Sequence, residues 1–201
     1  MAGDERKPPV RVARTRAKLV AVDGVDAPAV LAAAKAALAA TTPGEPAARG
    51  GISRWDASGI FQDLEVAEEE AGAASARTLL LLYAADLAFR LRWQIRPALL
   101  EGRTVVAAPY VDTAIAFGRA AGLPSTWLAN LFRFAPPAAE RHVVATQAAA
   151  AAKDGFVAFA SHHVNGGSDL RARQRLITQT AAILARPRPA ARRRRSPRAR
   201  S

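Results

Sequence analysis

The sequence contains no cysteine. This absence excludes a disulfide framework and every metal site built on thiolates. Histidine is also scarce, with three residues in 201, and no cluster of acids accompanies the adjacent pair His162 and His163. We therefore expect no metal site, and we interpret this pair as part of a polar loop rather than as a catalytic or ligand pair.

Long hydrophobic runs are also missing. The most apolar stretch, residues 79–91, is interrupted by Asp86 and Arg90, so it falls short of the ~20 apolar residues that a membrane span requires. The first 16 residues lack the apolar core of a signal peptide. Half of the residues are hydrophobic, which suits one globular domain. These features predict a cytoplasmic protein that has no membrane partner.

Acidic residues are absent from the carboxyl end of the chain. Residues 186–201 hold eight arginines and no acid, and residues 1–16 hold five Lys/Arg against two acids. The net charge of +12 is thus concentrated in the tails, and residues 17–185 carry only +1. We expect a disordered basic lead over 1–16, one domain over 17–186 and a disordered Arg-rich tail over 187–201.

Two interpretations of the Arg-rich tail remain open. It could neutralise the phosphates of a nucleic acid or the charge of another acidic partner. It could equally be a solvated extension. The tail has no aromatic residue for base stacking, so sequence-specific recognition is not implied.

Short apolar runs alternate with helical patterns along the chain. Strands are predicted over residues 18–22, 52–56, 104–108, 141–146 and 155–160. Helices are predicted over residues 28–40, 59–71, 75–102, 112–121, 124–134 and 170–185. This alternation predicts a three-layer α/β/α fold around a central parallel sheet of about five strands. Pro97 should kink the long helix near its end.

Ligands of such sheets bind beyond the carboxyl ends of the strands. Polar or turn-forming residues follow three predicted strands, at Asp23-Gly24, Pro109-Tyr110 and His162-His163. We expect these segments to lie near one rim of the sheet.

Three motifs in the middle of the chain belong together. LLYAAD precedes a helix that ends in IRPALLEG, a hydrophobic strand follows, and YVDTAIAF comes next. This succession resembles the thymidylate kinase family. The segment KLVAVDGVD near the start resembles that family's phosphate loop more weakly. The resemblance covers roughly residues 17–134. It implies a P-loop kinase fold, a nucleotide such as dTMP as ligand, phosphoryl transfer from ATP with Mg²⁺, and a homodimer.

The phosphate loop that the resemblance implies is degenerate. The motif G-x-x-x-x-G-K-[ST] wraps phosphates with backbone amides, while its lysine neutralises them and its hydroxyl binds Mg²⁺. Aligned on Gly24, the last three positions of the motif are Ala29, Val30 and Leu31. What remains of the loop is Asp23, Gly24 and Asp26.

Other groups that the family uses are replaced as well. The resemblance puts its Asp-Arg pair at Ala108 and Pro109, and the arginine that grips the acceptor phosphate at Leu87. The glutamine that reads the thymine edge corresponds to Gly118, and a neighbouring tyrosine to Phe117. The segment between Phe134 and Gly155 is also too short for the family's arginine-bearing lid. The resemblance therefore implies the scaffold of the enzyme with an impaired site.

Six residues are candidates for a nucleotide pocket: Arg54, Trp55, Asp86, Arg90, Tyr110 and Asp112. Trp55 can stack on a base while Arg54 pairs with phosphate. Alternatively, Trp55 lies in the core, with Asp56 or Ser58 capping the next helix. Asp86 and Arg90 are four residues apart and can pair on one helix face.

Three hypotheses about function follow. The first is a thymidylate kinase-like protein that is catalytically impaired and kept as a structural or regulatory module. The second is an active nucleotide kinase, dependent on ATP and Mg²⁺, whose lost groups are replaced by Arg90, Arg119 or a partner subunit. The third is a nucleic-acid-associated protein that acts through its Arg-rich tail.

Overall fold

The computed structural model describes residues 17–41, 50–71, 73–145, 155–164 and 169–186. The predictions of a disordered lead and a disordered tail concern residues outside these ranges. The alanine-rich segment 147–153 also lies outside them.

Strands and helices follow one another along the described chain. The strands are β1 (Leu19–Asp23), β2 (Ile52–Arg54), β3 (Val105–Ala108) and β4 (Glu140–Val143). The helices are α1 (Ala27–Thr41), α2 (Ile60–Ala71), α3 (Ala76–Arg90), α4 (Arg96–Leu100), α5 (Val111–Ala120), α6 (Ser125–Leu131), α7 (Phe156–Val164) and α8 (Leu170–Leu184). A π-helical turn, Leu91–Ile95, joins α3 to α4.

The four strands form one parallel sheet in the order β2-β3-β1-β4. The first strand is central, and all five of its residues are buried. Its neighbours are distant in sequence, since Leu19 pairs with Val105 and Val20 with Glu140. A strand covered on both faces is expected to be continuously hydrophobic, as residues 19–22 are.

Side chains of β1 alternate between two hydrophobic cores. Val20 and Val22 pack with Val30 of α1 on one face of the sheet. Leu19 and Ala21 point to the other face, where α3, α5, α7 and α8 supply the larger core. Helices thus cover both faces of a parallel sheet, and the predicted three-layer α/β fold is confirmed.

The prediction of a strand over residues 155–160 is wrong. These residues begin helix α7, so the described sheet has four strands, and His162 and His163 end a helix instead of following a strand. The run FVAFA is short and continuously apolar, and such a run fits a buried helix as well as a buried strand. Six of the nine α7 residues are buried, which explains why no helical periodicity is visible in the sequence.

The predicted long helix is confirmed, together with its interruption. Ser75 caps α3, its side-chain oxygen accepting from the amide of Thr78 at 3.1 Å. Pro97 has no amide to donate, and just before it the amide of Arg96 bonds back to the carbonyl of Leu91 in the wider π pattern. Gly102 ends the segment at φ +81°. Within the described ranges, no helix has the length and apolarity needed to cross a membrane.

Candidate functional site

The carboxyl ends of β1, β2 and β3 surround a small cavity. It is bounded by Gly24 after β1, Arg54 at the end of β2 and Pro109 after β3, and Gly155 and Phe156 at the start of α7 close it from above. Its volume is about 30 Å³, space on the order of one or two water molecules. The topology thus brings the predicted rim segments at Gly24 and Pro109 together, at a site too small for a nucleotide.

The turn between β1 and α1 is packed shut around Gly24. Its amide donates to Thr113 Oγ1 at 3.1 Å, so this donor is already used inside the protein. A Cβ on Gly24 would lie 2.7 Å from Val30 Cγ2 and 3.2 Å from Val144 Cβ, while a Cβ on Gly155 would lie 3.0 Å from Ala27 Cβ. A phosphate loop needs amides that point into open space, and the closely packed side chains here leave none at Gly24.

Asp23 is buried beneath the same turn. Its Oδ1 accepts three hydrogen bonds, from the amide of Tyr110 (3.0 Å), the amide of Thr113 (2.9 Å) and the Thr113 hydroxyl (2.8 Å). Burial, followed by the nearby negative charge of Asp112, raises the pKa of Asp23 to about 6, although the three donors oppose this shift. Asp23 therefore ties β1 to the start of α5 and is turned away from any ligand.

The remaining positions of the degenerate loop are structural. Asp26 caps α1 by accepting from the amide of Ala29 at 3.2 Å. Val30, which stands where the family has its lysine, is buried against β1 and β3. Neither a lysine nor a hydroxyl is present to hold a triphosphate and its Mg²⁺, so the residues at this turn do not fit ATP. Among the described residues, no group of three His, Asp or Glu side chains is arranged to bind a metal ion.

Asp86 and Arg90 form an ion pair that is completely buried. Arg90 Nε lies 2.9 Å from Asp86 Oδ2, and both side chains are 0% exposed. Asp86 also accepts from the amide of Asp56 (3.2 Å) and from the amide (3.1 Å) and hydroxyl (3.0 Å) of Ser58. Arg90 Nη1 donates to the carbonyl of Pro109 at 3.0 Å. The pair therefore joins α3 to the turn after β2 and to the end of β3, and neither side chain faces a pocket.

Aromatic rings fill the space between α2, α3, α5 and α7. The ring of Phe156 lies 4.5 Å from Tyr83, 5.4 Å from Phe117 and 5.9 Å from Phe61, measured between centroids. Half-buried Trp55 packs on the same cluster, 5.2 Å from Phe61. This contact favours the interpretation of Trp55 as a core residue, although its ring also borders the cavity near Arg54.

The positions that the resemblance assigns to substrate recognition belong to the core. Leu87 and Phe117 are 0% exposed. A Cβ on Gly118 would lie 2.5 Å from Leu128 Cδ2 and 2.8 Å from Leu80 Cδ1. Tight packing therefore occupies the places where polar recognition groups would stand.

Tyr110 and Asp112 lie at a second cavity, away from the first. This groove of about 200 Å³ lies between α5, α6 and β4 and is lined mainly by apolar side chains and two prolines. Tyr110 donates its hydroxyl to the carbonyl of Pro136 at 2.7 Å, and burial raises the pKa of its phenol to about 12. Asp112 pairs with Arg141 at 3.3 Å. The six candidate residues are therefore spread over three separate places.

Two structural roles at the site were not predicted from the sequence. The side chain of Thr113 hydrogen-bonds to Asp23 and to the amide of Gly24. The only local sign of this role in the sequence is that Thr113 follows Tyr110 by three positions, at the start of a helix. Phe156 closes the cavity and centres the aromatic cluster, but its segment was predicted to be a strand. His163 is buried and lies 3.9 Å from the ring of Phe159.

Comparison with known proteins supports the fold. The structure is similar to that of thymidylate kinase from Ehrlichia chaffeensis, with a TM-score of 0.54 and 12% sequence identity over 83% of this chain and 86% of that one. No protein-family model and no curated protein matches the sequence. At this identity the likeness establishes a kinase-like α/β fold.

Proposed function

We propose that this chain is a thymidylate kinase-like protein that has lost phosphoryl transfer and serves as a structural or regulatory module. The observation that carries the proposal is the closed turn at Gly24, whose amide is bonded to Thr113 and whose surroundings leave about 30 Å³. The kinase-like fold suggests that the chain derives from a nucleotide-binding protein. The chemistry of that site requires donors that are free to meet developing negative charge.

The magnitude of the expected defect is large. Removing one well-placed electrostatic group from an active site typically lowers kcat by about 10²–10³. Here Val30 replaces the loop lysine, Leu31 replaces the metal-binding hydroxyl, and Leu87 replaces the arginine expected to grip the acceptor. The lowering of kcat that follows from losing several such groups is larger than one neighbouring residue could restore.

The arginines suggested as replacements are badly placed for that role. Arg90 is 0% exposed and bonded to Asp86 and Pro109. Arg119 lies near the far end of α5, eight residues from Val111 and thus roughly 12 Å along the helix from the rim. Neither side chain borders the cavity at Gly24. Among the residues that line this cavity, Arg54 alone is charged, so an active kinase would need further cations, for example from a partner subunit.

A coupled assay with ATP, Mg²⁺ and dTMP tests this proposal. Typical kinases turn over at about 1–100 s⁻¹, and we expect a rate at least about a thousandfold lower. An Arg54→Gln variant is the matched control, because a contaminating kinase would give the same trace activity in both preparations. Turnover near the ordinary range that falls in this variant would overturn the proposal.

Binding without chemistry requires a separate measurement. Saturating dTMP or ATP should leave the melting temperature unchanged, because a ligand at about 100 times its Kd would add roughly 2.7 kcal/mol of stability. A clear upward shift with either nucleotide would show that a nucleotide site is retained. The role would then be that of a nucleotide-responsive regulator.

A further inference from the structure

The side of helix α3 that faces solvent is apolar from residue 79 to residue 91. The exposed side chains of this stretch, which we call the apolar face of α3, are Leu81, Ala85, Ala88 and Phe89. Leu81 is 50% exposed and Phe89 is 37% exposed. The polar side chains of the same stretch are buried instead, and they are Tyr83, Asp86 and Arg90. A helix that is hydrophobic on every side is normally buried, so an apolar face left in solvent marks a surface that another molecule covers.

The apolar face of α3 has a shape that suits a second helix. At about 3.6 residues per turn, its four side chains fall within roughly 100° of arc. Ala85 lies midway between Leu81 and Phe89, about 6 Å along the helix axis from each. Small side chains in the middle of a face allow another helix to approach closely, and the larger side chains on either side can then fill the grooves of that helix.

An arginine stacked on a tryptophan lies near each end of the apolar face. Arg77 Cζ is 5.2 Å from the ring centre of Trp127. Arg92 Cζ is 5.4 Å from the ring centre of Trp93, which is 64% exposed. Protein interfaces are enriched in aromatic residues and arginine and depleted in acids. Asp86, the only acid of α3, is buried, so the exposed side of this helix has the composition of an interface.

The rest of the chain offers little that could cover the apolar face. Outside the described ranges, the sequence contains only three large apolar side chains, Met1, Val10 and Val12. Residues 79–91 span about 20 Å of helix, and three scattered side chains do not supply a matching apolar surface. A second copy of the chain, in contrast, presents a face of the same length and composition.

We propose that the apolar face of α3 is the interface of a homodimer, in which two copies of α3 pack antiparallel about a two-fold axis at Ala85. Such an interface requires a surface that is complementary to itself. The two-fold rotation places Leu81 of one copy against Phe89 of the partner subunit, while the two small Ala85 side chains meet at the axis. Homodimerisation through α3 does not depend on whether the kinase-like site is active.

A second copy fits the apolar face better than a membrane does. Helices that lie in a membrane surface insert large apolar side chains and carry a charged face on the opposite side. The opposite side of α3 packs in the core, where Leu80 and Leu87 are buried. In addition, Ala85 and Ala88 in the middle of the exposed side have little apolar surface to insert.

Sedimentation equilibrium of the full chain at about 1–100 μM tests this interface. The unaltered chain should sediment with twice its monomer mass of 21.2 kDa. Ala85→Glu places two like charges together at the axis and should raise the Kd of the dimer at least about a hundredfold. Leu81→Glu should weaken the dimer in the same direction. The matched control Ala182→Glu makes the same change at an exposed alanine of α8 and should leave the dimer intact.

A mixture of two variants tests the position of the axis. Ala85→Lys should be monomeric by itself, as Ala85→Glu is. An equimolar mixture of the two should dimerise again, because opposite charges then face each other across the interface. Circular dichroism and urea midpoints check that each variant keeps the fold of the unaltered chain.

Each other outcome overturns the proposal. A chain that is still monomeric at about 100 μM has no such interface. If Ala85→Glu dimerises like the unaltered chain, or if Ala182→Glu dissociates as readily, the dimer does not form through α3. If the mixture of Ala85→Glu and Ala85→Lys stays monomeric, the two-fold axis is not at Ala85. If the unaltered chain is monomeric and binds vesicles containing phosphatidylserine, the apolar face contacts a membrane.

Discussion

Removal of Asp86 should destabilise the protein more than removal of its partner Arg90. The two side chains form a buried ion pair, but their other contacts differ. Without Arg90, Asp86 would keep three donors, from Asp56 and Ser58. Without Asp86, Arg90 would keep one hydrogen bond, from Nη1 to the carbonyl of Pro109, and its Nη2 has no partner among the described residues.

The size of the difference follows from these contacts. Breaking a buried pair so that one charge is left alone costs about 3–5 kcal/mol. Asp86→Leu should lie at the upper end of this range, since the amides of Asp56 and Ser58 also lose their acceptor. Arg90→Met should cost about 2–3 kcal/mol, because three donors remain to stabilise the carboxylate. The expected gap is thus about 2 kcal/mol.

Urea unfolding followed by circular dichroism measures the free energy of unfolding of both variants. An unchanged slope of this free energy against urea concentration confirms that only stability has changed. The double variant Asp86→Leu/Arg90→Met should cost at least about 2 kcal/mol less than the sum of the single variants, because it leaves no uncompensated charge. Arg92→Met, an exposed change in the same segment, is the control and should cost less than about 1 kcal/mol. A larger loss for Arg90→Met than for Asp86→Leu, or simple additivity, would refute the reasoning.

Three further predictions concern the fold around the site. The pKa of Asp23 in the folded protein, about 6, lies above its ordinary value of 3.8. The ionised carboxylate therefore lowers the free energy of unfolding by about 3 kcal/mol above pH 6, and this loss is relieved as the pH falls from 6 to 4. Asp23→Asn should flatten this part of the stability–pH curve in urea titrations, and an unchanged curve would contradict the assignment. Gly118→Ala should lower the free energy of unfolding by about 1–3 kcal/mol, because its Cβ would meet Leu128 and Leu80. A melting temperature equal to that of the parent protein would show that these side chains move aside without cost. Asp169→Ala should cost about 1 kcal/mol through loss of the α8 cap, which calorimetry can measure against Asp169→Asn as the conservative control.

Local signals in the sequence predict much of the fold. The long helix could be placed because its start has a capping serine, Ser75, and its end has Gly102 in a left-handed conformation. Strand β1 could be placed because four apolar residues precede a turn. Each of these signals lies within a few residues of the helix end or strand that it predicts.

The candidate site depends on contacts that no local pattern contains. The bond from Gly24 to Thr113 joins residues 89 apart in sequence, and it decides whether the turn is open. The packing of Gly155 against Ala27 is more distant still. A motif comparison could show that Ala29, Val30 and Leu31 lack the chemistry of a phosphate loop, but the closure of that loop required the fold.

The central position of β1 has a consequence for synthesis of the chain. This strand leaves the ribosome first, yet its partners are β3 and β4, and Val20 pairs with Glu140. At translation rates of about 5–20 residues per second, the intervening ~120 residues take roughly 6–24 s to make. Strand β1 can pair with β3 once Val105 has been made, but its other edge has no partner until β4 follows. We therefore expect nascent chains that stop before residue 140 to be the most dependent on chaperones.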